Sequence, residues 1–183
     1  MGAKLSYRLP FENSVEKIGS FKNIPFSELT DGFIVSNFDK SEAFVFVEDA
    51  ISHLEKIALK PVYYSKAEYL EKAEFFIDHI RTRGLSKAIL SRIKRVDFDG
   101  DPQKLFTKLC TAYPSAFVYL ISSEFFGTWI GATPEVLISC NRERGETVAL
   151  AGTMKTEDQT PWGKKERFEQ QYVTDFIEEK LVN

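Results

Sequence analysis

The sequence predicts an α+β chain built on a largely antiparallel sheet flanked by helices, and three observations carry that prediction. Short runs rich in Phe, Val and Ile recur between polar turns, as half-buried strands do. A capping box and an Asp-Pro pair open two helices, one of which closes at a glycine. With 43% hydrophobic and 14% aromatic residues among 183, the chain has enough apolar material to bury a core.

The elements follow in order. Phe33-Ile34-Val35 and Ala43-Phe44-Val45-Phe46-Val47 are expected to be buried strands between the polar turns Thr30-Asp31-Gly32 and Asn37-Phe38-Asp39. Ser65 with Glu68 three residues on makes a capping box, and Leu70, Ala73, Ile77 and Ile80 keep helical spacing until Gly84 supplies a stop. Residues 87–96 alternate Ala88, Leu90 and Ile93 with Lys, Ser and Arg, which predicts a strand with one polar face. Asp101 as N-cap and Pro102 after it open a helix through Leu105, Phe106, Leu109 and Cys110, ending near Tyr113-Pro114.

Strands are then expected at 116–122, 127–132, 136–140 and 146–150, the first two as a hairpin and all four as an antiparallel meander. From Thr160-Pro161 a long helix carries Phe168, Tyr172, Val173, Phe176, Ile177 and Leu181 on one stripe. That stripe runs on without a stop signal, from which a chain cut short of a larger protein is expected.

Composition excludes several classes of function. The net charge is −3 with acids and bases interspersed, so the chain lacks the basic stripe that a nucleic acid requires and the polybasic patch that a membrane surface requires. No apolar stretch is long enough to span a bilayer and no signal-peptide core follows Met1, which makes the cytoplasm the expected location. Cys110 and Cys140 lie far apart without a CxxC spacing and read as reduced core thiols. His53 and His79 have no acid or serine at suggestive spacing, and no glycine-rich phosphate loop indicates a nucleotide cofactor.

One segment stands out chemically. Gly131-Ala132-Thr133-Pro134-Glu135, entered from Trp129-Ile130, delivers a carboxylate at a constrained bend, because Pro134 fixes its own φ and pushes Thr133 toward extended geometry. Taken with Lys87-Ala88-Ile89-Leu90-Ser91-Arg92, Ala149-Leu150-Ala151-Gly152-Thr153 and Lys165-Glu166-Arg167-Phe168-Glu169, in that order, it resembles the chorismate-utilising enzymes. These include anthranilate synthase component I, aminodeoxychorismate synthase component I, isochorismate synthase and salicylate synthase. The similarity covers roughly residues 62–182, about half of that family's two-sheet fold. It implies a lead segment at 1–61 and, at 62–183, the N-terminal half of a chorismate-binding region.

The resemblance also implies roles. Lys87 stands where isochorismate and salicylate synthases place a water-activating lysine and ammonia-using members place Gln. Ala151 stands where aminodeoxychorismate synthases use a nucleophilic Lys, so that route is closed, and Leu150 offers a wall to orient water. Gly152 and Thr153 would bring backbone N–H groups to a substrate carboxylate, Glu135 would act as general acid, and Glu169 would ligate Mg²⁺. The chain departs from the siderophore-type pattern around Glu169, carrying Phe168, Gln170 and Gln171 in place of the flanking polar residues.

The activity implied is isochorismate synthase, an isomerase acting on chorismate, with salicylate synthase or another chorismate-utilising enzyme as one alternative and a non-catalytic α+β binding module as the other. Both menaquinone and siderophore routes begin with this reaction. Residues 1–183 alone are expected to show little or no turnover, and a homodimer through an exposed sheet or helix surface is compatible with the sequence.

Overall fold

The computed structural model describes residues 2–29, 31–49, 63–157 and 160–182. It contains two compact units, one made of Met1–Pro61 with Asp97–Glu135 and the other of Val62–Val96 with Val136–Asn183.

The first unit is a six-stranded antiparallel sheet with one helix against it. Its strands are β1 (Ala3–Arg8), β2 (Val15–Asn23), β3 (Ile34–Ser36), β4 (Ala43–Glu48), β5 (Phe117–Ser123) and β6 (Gly127–Thr133), in the spatial order β3-β4-β2-β1-β5-β6. The expected strands at Phe33-Ile34-Val35 and 43–47 are present, as is the hairpin of β5 and β6. The sequence reading missed β1 and β2, although Leu5 and Tyr7 alternate with polar residues as a half-buried strand requires.

Alternation sorts the sheet's side chains onto two faces. Val118 and Leu120 of β5 point to the face covered by α2 (Pro102–Ala112), where Phe106 and Ala116 complete the cluster. Helix α2 begins as expected, with the Asp101 carboxylate accepting from the Gln103 amide at 2.8 Å and Pro102 in its first turn. Ala3, Leu5, Phe21 and Ile121 form the core of the opposite face, ringed by Tyr7, Phe33, Phe44, Phe46, Tyr119 and Phe126. Leu5 and Val118 are almost wholly buried, and each such side chain contributes about 1.5–3 kcal/mol.

On the α2 face β1 also buries two polar residues, Ser6 and Arg8. Arg8 is 6% exposed, and its guanidinium donates to the carbonyls of Pro114 at 2.9 Å, Tyr113 at 2.6 Å and Ala116 at 2.9 Å. These carbonyls follow the C-terminus of α2, where the helix leaves acceptors without intrahelical partners and favours a cation.

Gly131 is a glycine for a local reason. It pairs across the ladder with Tyr119, and a Cβ there would stand 2.6 Å from the Tyr119 ring. Gly131→Ala is therefore expected to destabilise the unit by about 1–3 kcal/mol through overpacking. In a double-mutant cycle read by urea unfolding, that penalty should largely vanish in the Tyr119→Ala background.

The second unit holds α1 (Lys66–Arg83), the short hairpin of β7 (Ser139–Cys140) and β8 (Gly145–Glu146), and α3 (Lys164–Val182). The capping box of α1 is complete. Ser65 Oγ accepts from the Glu68 amide, the Glu68 carboxylate accepts from the Ser65 amide, and Gly84 closes the helix at φ 65°. The hydrogen bonds from Ser65 hold the Glu68 carboxyl below the ordinary Glu range. A carboxyl depressed on folding contributes stability above its unfolded pKa of about 4.3, and the contribution is lost as pH falls through the folded value. Protection factors of the first-turn amides of α1, taken relative to intrinsic exchange at each pH, should thus fall with acidification across that window, and Glu68→Gln should flatten the dependence.

Three expectations need correction in this unit. Residues 85–99 form no strand, because a strand needs a ladder partner and none of the described segments supplies one. Side chains tie this stretch to α1 and its approach instead, with Arg92 over the Tyr69 ring and Arg95 over Tyr63, whose hydroxyl accepts from Arg95 at 3.3 Å. The strands expected at 136–140 and 146–150 shrink to the two-residue pairs of β7 and β8, so the four-strand meander does not form. The Asn141 turn between them is built by its side-chain oxygen accepting from the amides of Glu143 and Arg144. Cys140 on β7 is exposed rather than a core thiol, while Cys110 on α2 is half-buried.

Candidate functional site

In the first unit, β6 ends at Thr133 and the chain turns through Pro134 to Glu135. The turn is locked locally, since the Glu135 amide donates to Thr133 Oγ1 at 3.2 Å. The Glu135 side chain is exposed and makes no hydrogen bond or ion pair among the described residues.

The second unit carries the remaining candidates. Lys87 is half-buried, with no ion pair or hydrogen bond among the described residues. Helix α3 is joined to the 149–153 segment by the Gln170 side-chain amide, which donates to the Ala149 carbonyl at 2.9 Å. Ala151 is half-buried, whereas Leu150, Gly152 and Thr153 are exposed. The Trp162 ring lies over Gly152, so close that a Cβ on the glycine would stand 2.9 Å from it.

Between these parts opens a cleft of about 370 Å³ lined by Gly152, Trp162, Glu166, Arg167, Gln170 and Gln171. The last four occupy positions i, i+1, i+4 and i+5 of α3 and so share one face of the helix. The sequence reading chose Gly152 and the neighbouring Glu169 but missed Trp162, Glu166 and Arg167; the helical spacing was the signal available for Glu166 and Arg167. His79 stacks on Phe75 at 5.9 Å between ring centroids and takes no part in the cleft, and His53 lies outside the described residues.

The model of the chorismate binding enzymes matches residues 36–183, most of the chain. The protein belongs to the chorismate-binding enzyme family.

Among curated relatives of this chorismate-binding enzyme, an anthranilate synthase component 1 of Saccharolobus solfataricus is 26% identical over 138 residues, 70% of this chain and 32% of the relative. An anthranilate synthase component 1 of Halobacterium salinarum is 29% identical over 85 residues, 46% of this chain and 16% of the relative. The chain thus spans a third or less of the length of the relatives it matches. No solved structure gives a significant match. None of the described helices is long and apolar enough to cross a membrane.

Mg²⁺ is a common cofactor of chorismate-binding enzymes, and Glu169 is a hard oxygen donor of the kind the ion prefers. Its side chain is 32% exposed and faces Lys165 at 4.0 Å, the ion pair that i,i+4 spacing on a helix favours. Among the described residues no three His, Cys, Asp or Glu side chains converge on one point. A lone carboxylate is a donor set that Mg²⁺ accepts where substrate and water supply the remaining positions.

Proposed function

We propose that this chorismate-binding enzyme acts in the formation of isochorismate. Water adds at C2 of chorismate while the C4 hydroxyl departs. In this reading Lys87 takes the proton from the attacking water and Glu135 supplies one to the departing hydroxyl, so the step is balanced without a further reactant. Leu150 and Ala151 wall the path of the water, and the backbone at Gly152 and Thr153 receives a substrate carboxylate. Bound Mg²⁺, with Glu169 among its ligands, would neutralise carboxylate charge.

The observation that carries the choice is the pair Lys87 and Ala151. An amine stands at the position assigned to water activation, and no nucleophile stands at the position where a covalent lysine route would need one. Lys87 is half-buried and has no ion pair or hydrogen bond among the described residues, which supports the reading because no described carboxylate competes for its amine. A second reading, anthranilate formation, is favoured by the names of both matched relatives.

Product analysis separates the two. The active protein, given chorismate, Mg²⁺ and ammonium, should accumulate isochorismate; anthranilate would establish the second reading, and salicylate with pyruvate would establish a salicylate synthase. Residues 1–183 alone should turn over slowly or not at all, because Glu135 is exposed and Glu169 has no companion ligand among the described residues.

A further inference from the structure

The two edges of the six-stranded sheet are protected very differently. At one edge, β3 has three residues, too few to template a long ladder. At the other, β6 runs for seven residues without a charge or a proline. Its register with β5 is unbroken from Phe117↔Thr133 to Ser123↔Gly127, so no bulge turns it away. The outer side of β6 has no ladder partner among the described residues. Proteins ordinarily blunt such edges with charge, proline, a bulge or shortness, because a regular uncharged edge accepts another strand.

We propose that β6 is an association edge for a second copy of this chain, the two β6 strands running antiparallel about Ile130 and joining the two sheets into one. The sequence Gly127-Thr128-Trp129-Ile130-Gly131-Ala132-Thr133 is close to self-complementary in that register. Ile130 meets the partner's Ile130 on the α2 face, where it already packs against the Phe106 cluster. Trp129, 57% exposed, lies opposite the partner's Gly131 on the other face, where the indole meets no opposing side chain across the ladder. Thr128 lies opposite the partner's Ala132. No charge faces a like charge anywhere in the pairing, and the contact is isologous, so it closes at two copies. This inference is independent of the reaction the protein catalyses.

Thr128 and Ala132 are both exposed, which makes them suitable probes. Sedimentation equilibrium should show the mass of the wild-type chain rising with concentration from 21.0 kDa toward twice that value. A chain carrying Thr128→Lys with Ala132→Lys places like charges opposite each other and should stay at the single-chain mass, as should one carrying Thr128→Glu with Ala132→Glu. An equimolar mixture of the two should recover the dimer, which a chain that had lost its fold could not do. A wild-type chain that stays at 21.0 kDa at every concentration overturns the proposal, as does a Lys variant that associates as well as wild type.

Discussion

Replacing Lys87 with glutamine in the active enzyme is expected to lower the rate of isochorismate formation by about 10²–10⁴-fold, the range over which positioned general bases act. Glutamine keeps much of the length and polarity of the side chain but cannot take a proton, so KM for chorismate should change little while kcat falls. The pH profile supplies a second readout. A general base that must be free of its proton imposes a limb that rises with pH, and any such limb in the wild type should be absent in Lys87→Gln. An unchanged rate and profile would remove Lys87 from the mechanism, and with it the main reason to prefer water addition.

The largest expected effect on stability lies far from any of this chemistry. Arg8→Met should destabilise the first unit by about 3–5 kcal/mol, because it strips the charged donors from three carbonyls around the turn after α2. Arg8→Lys keeps the charge but not the fork that spans several acceptors, so it should recover only part of the loss. Urea unfolding followed by Trp129 fluorescence, in a Trp162→Phe background, reports this unit alone. A loss below about 1 kcal/mol would mean that water replaces the guanidinium at those carbonyls without penalty.

The contrast between α1 and the 85–99 segment shows what the sequence could disclose. The start of α1 was legible because its signal is local: Ser65 and Glu68 satisfy each other's backbone groups whatever surrounds them. The strand expected at 87–96 rested on alternation, which says which side chains could share a face but not whether a neighbour exists to complete the ladder. The hairpin of β5 and β6 was found because its partner lies a short turn away. β1 escaped notice although its alternation is plain and one of its two ladder partners, β2, lies a short turn away; only the other, β5, lies more than a hundred residues on.

Site residues divide in the same way. The bend at Glu135 could be read because proline and the Thr133 hydroxyl impose it locally. Trp162 could not, since only folding brings its ring over Gly152, and nothing in the spacing of the two announces the contact.

The place of β1 in the sheet also governs when this protein can fold. Residues 3–8 lie between β2 and β5, so one side of β1 is paired soon after synthesis while the other waits for residues 118–122 to emerge. Until then the nascent chain carries an open strand edge and half a core, bridged by a long loop whose closure is entropically costly. Unit 1 should consequently fold slowly for its size, by late docking of two early hairpins, and the interval before docking is when it most needs protection from aggregation.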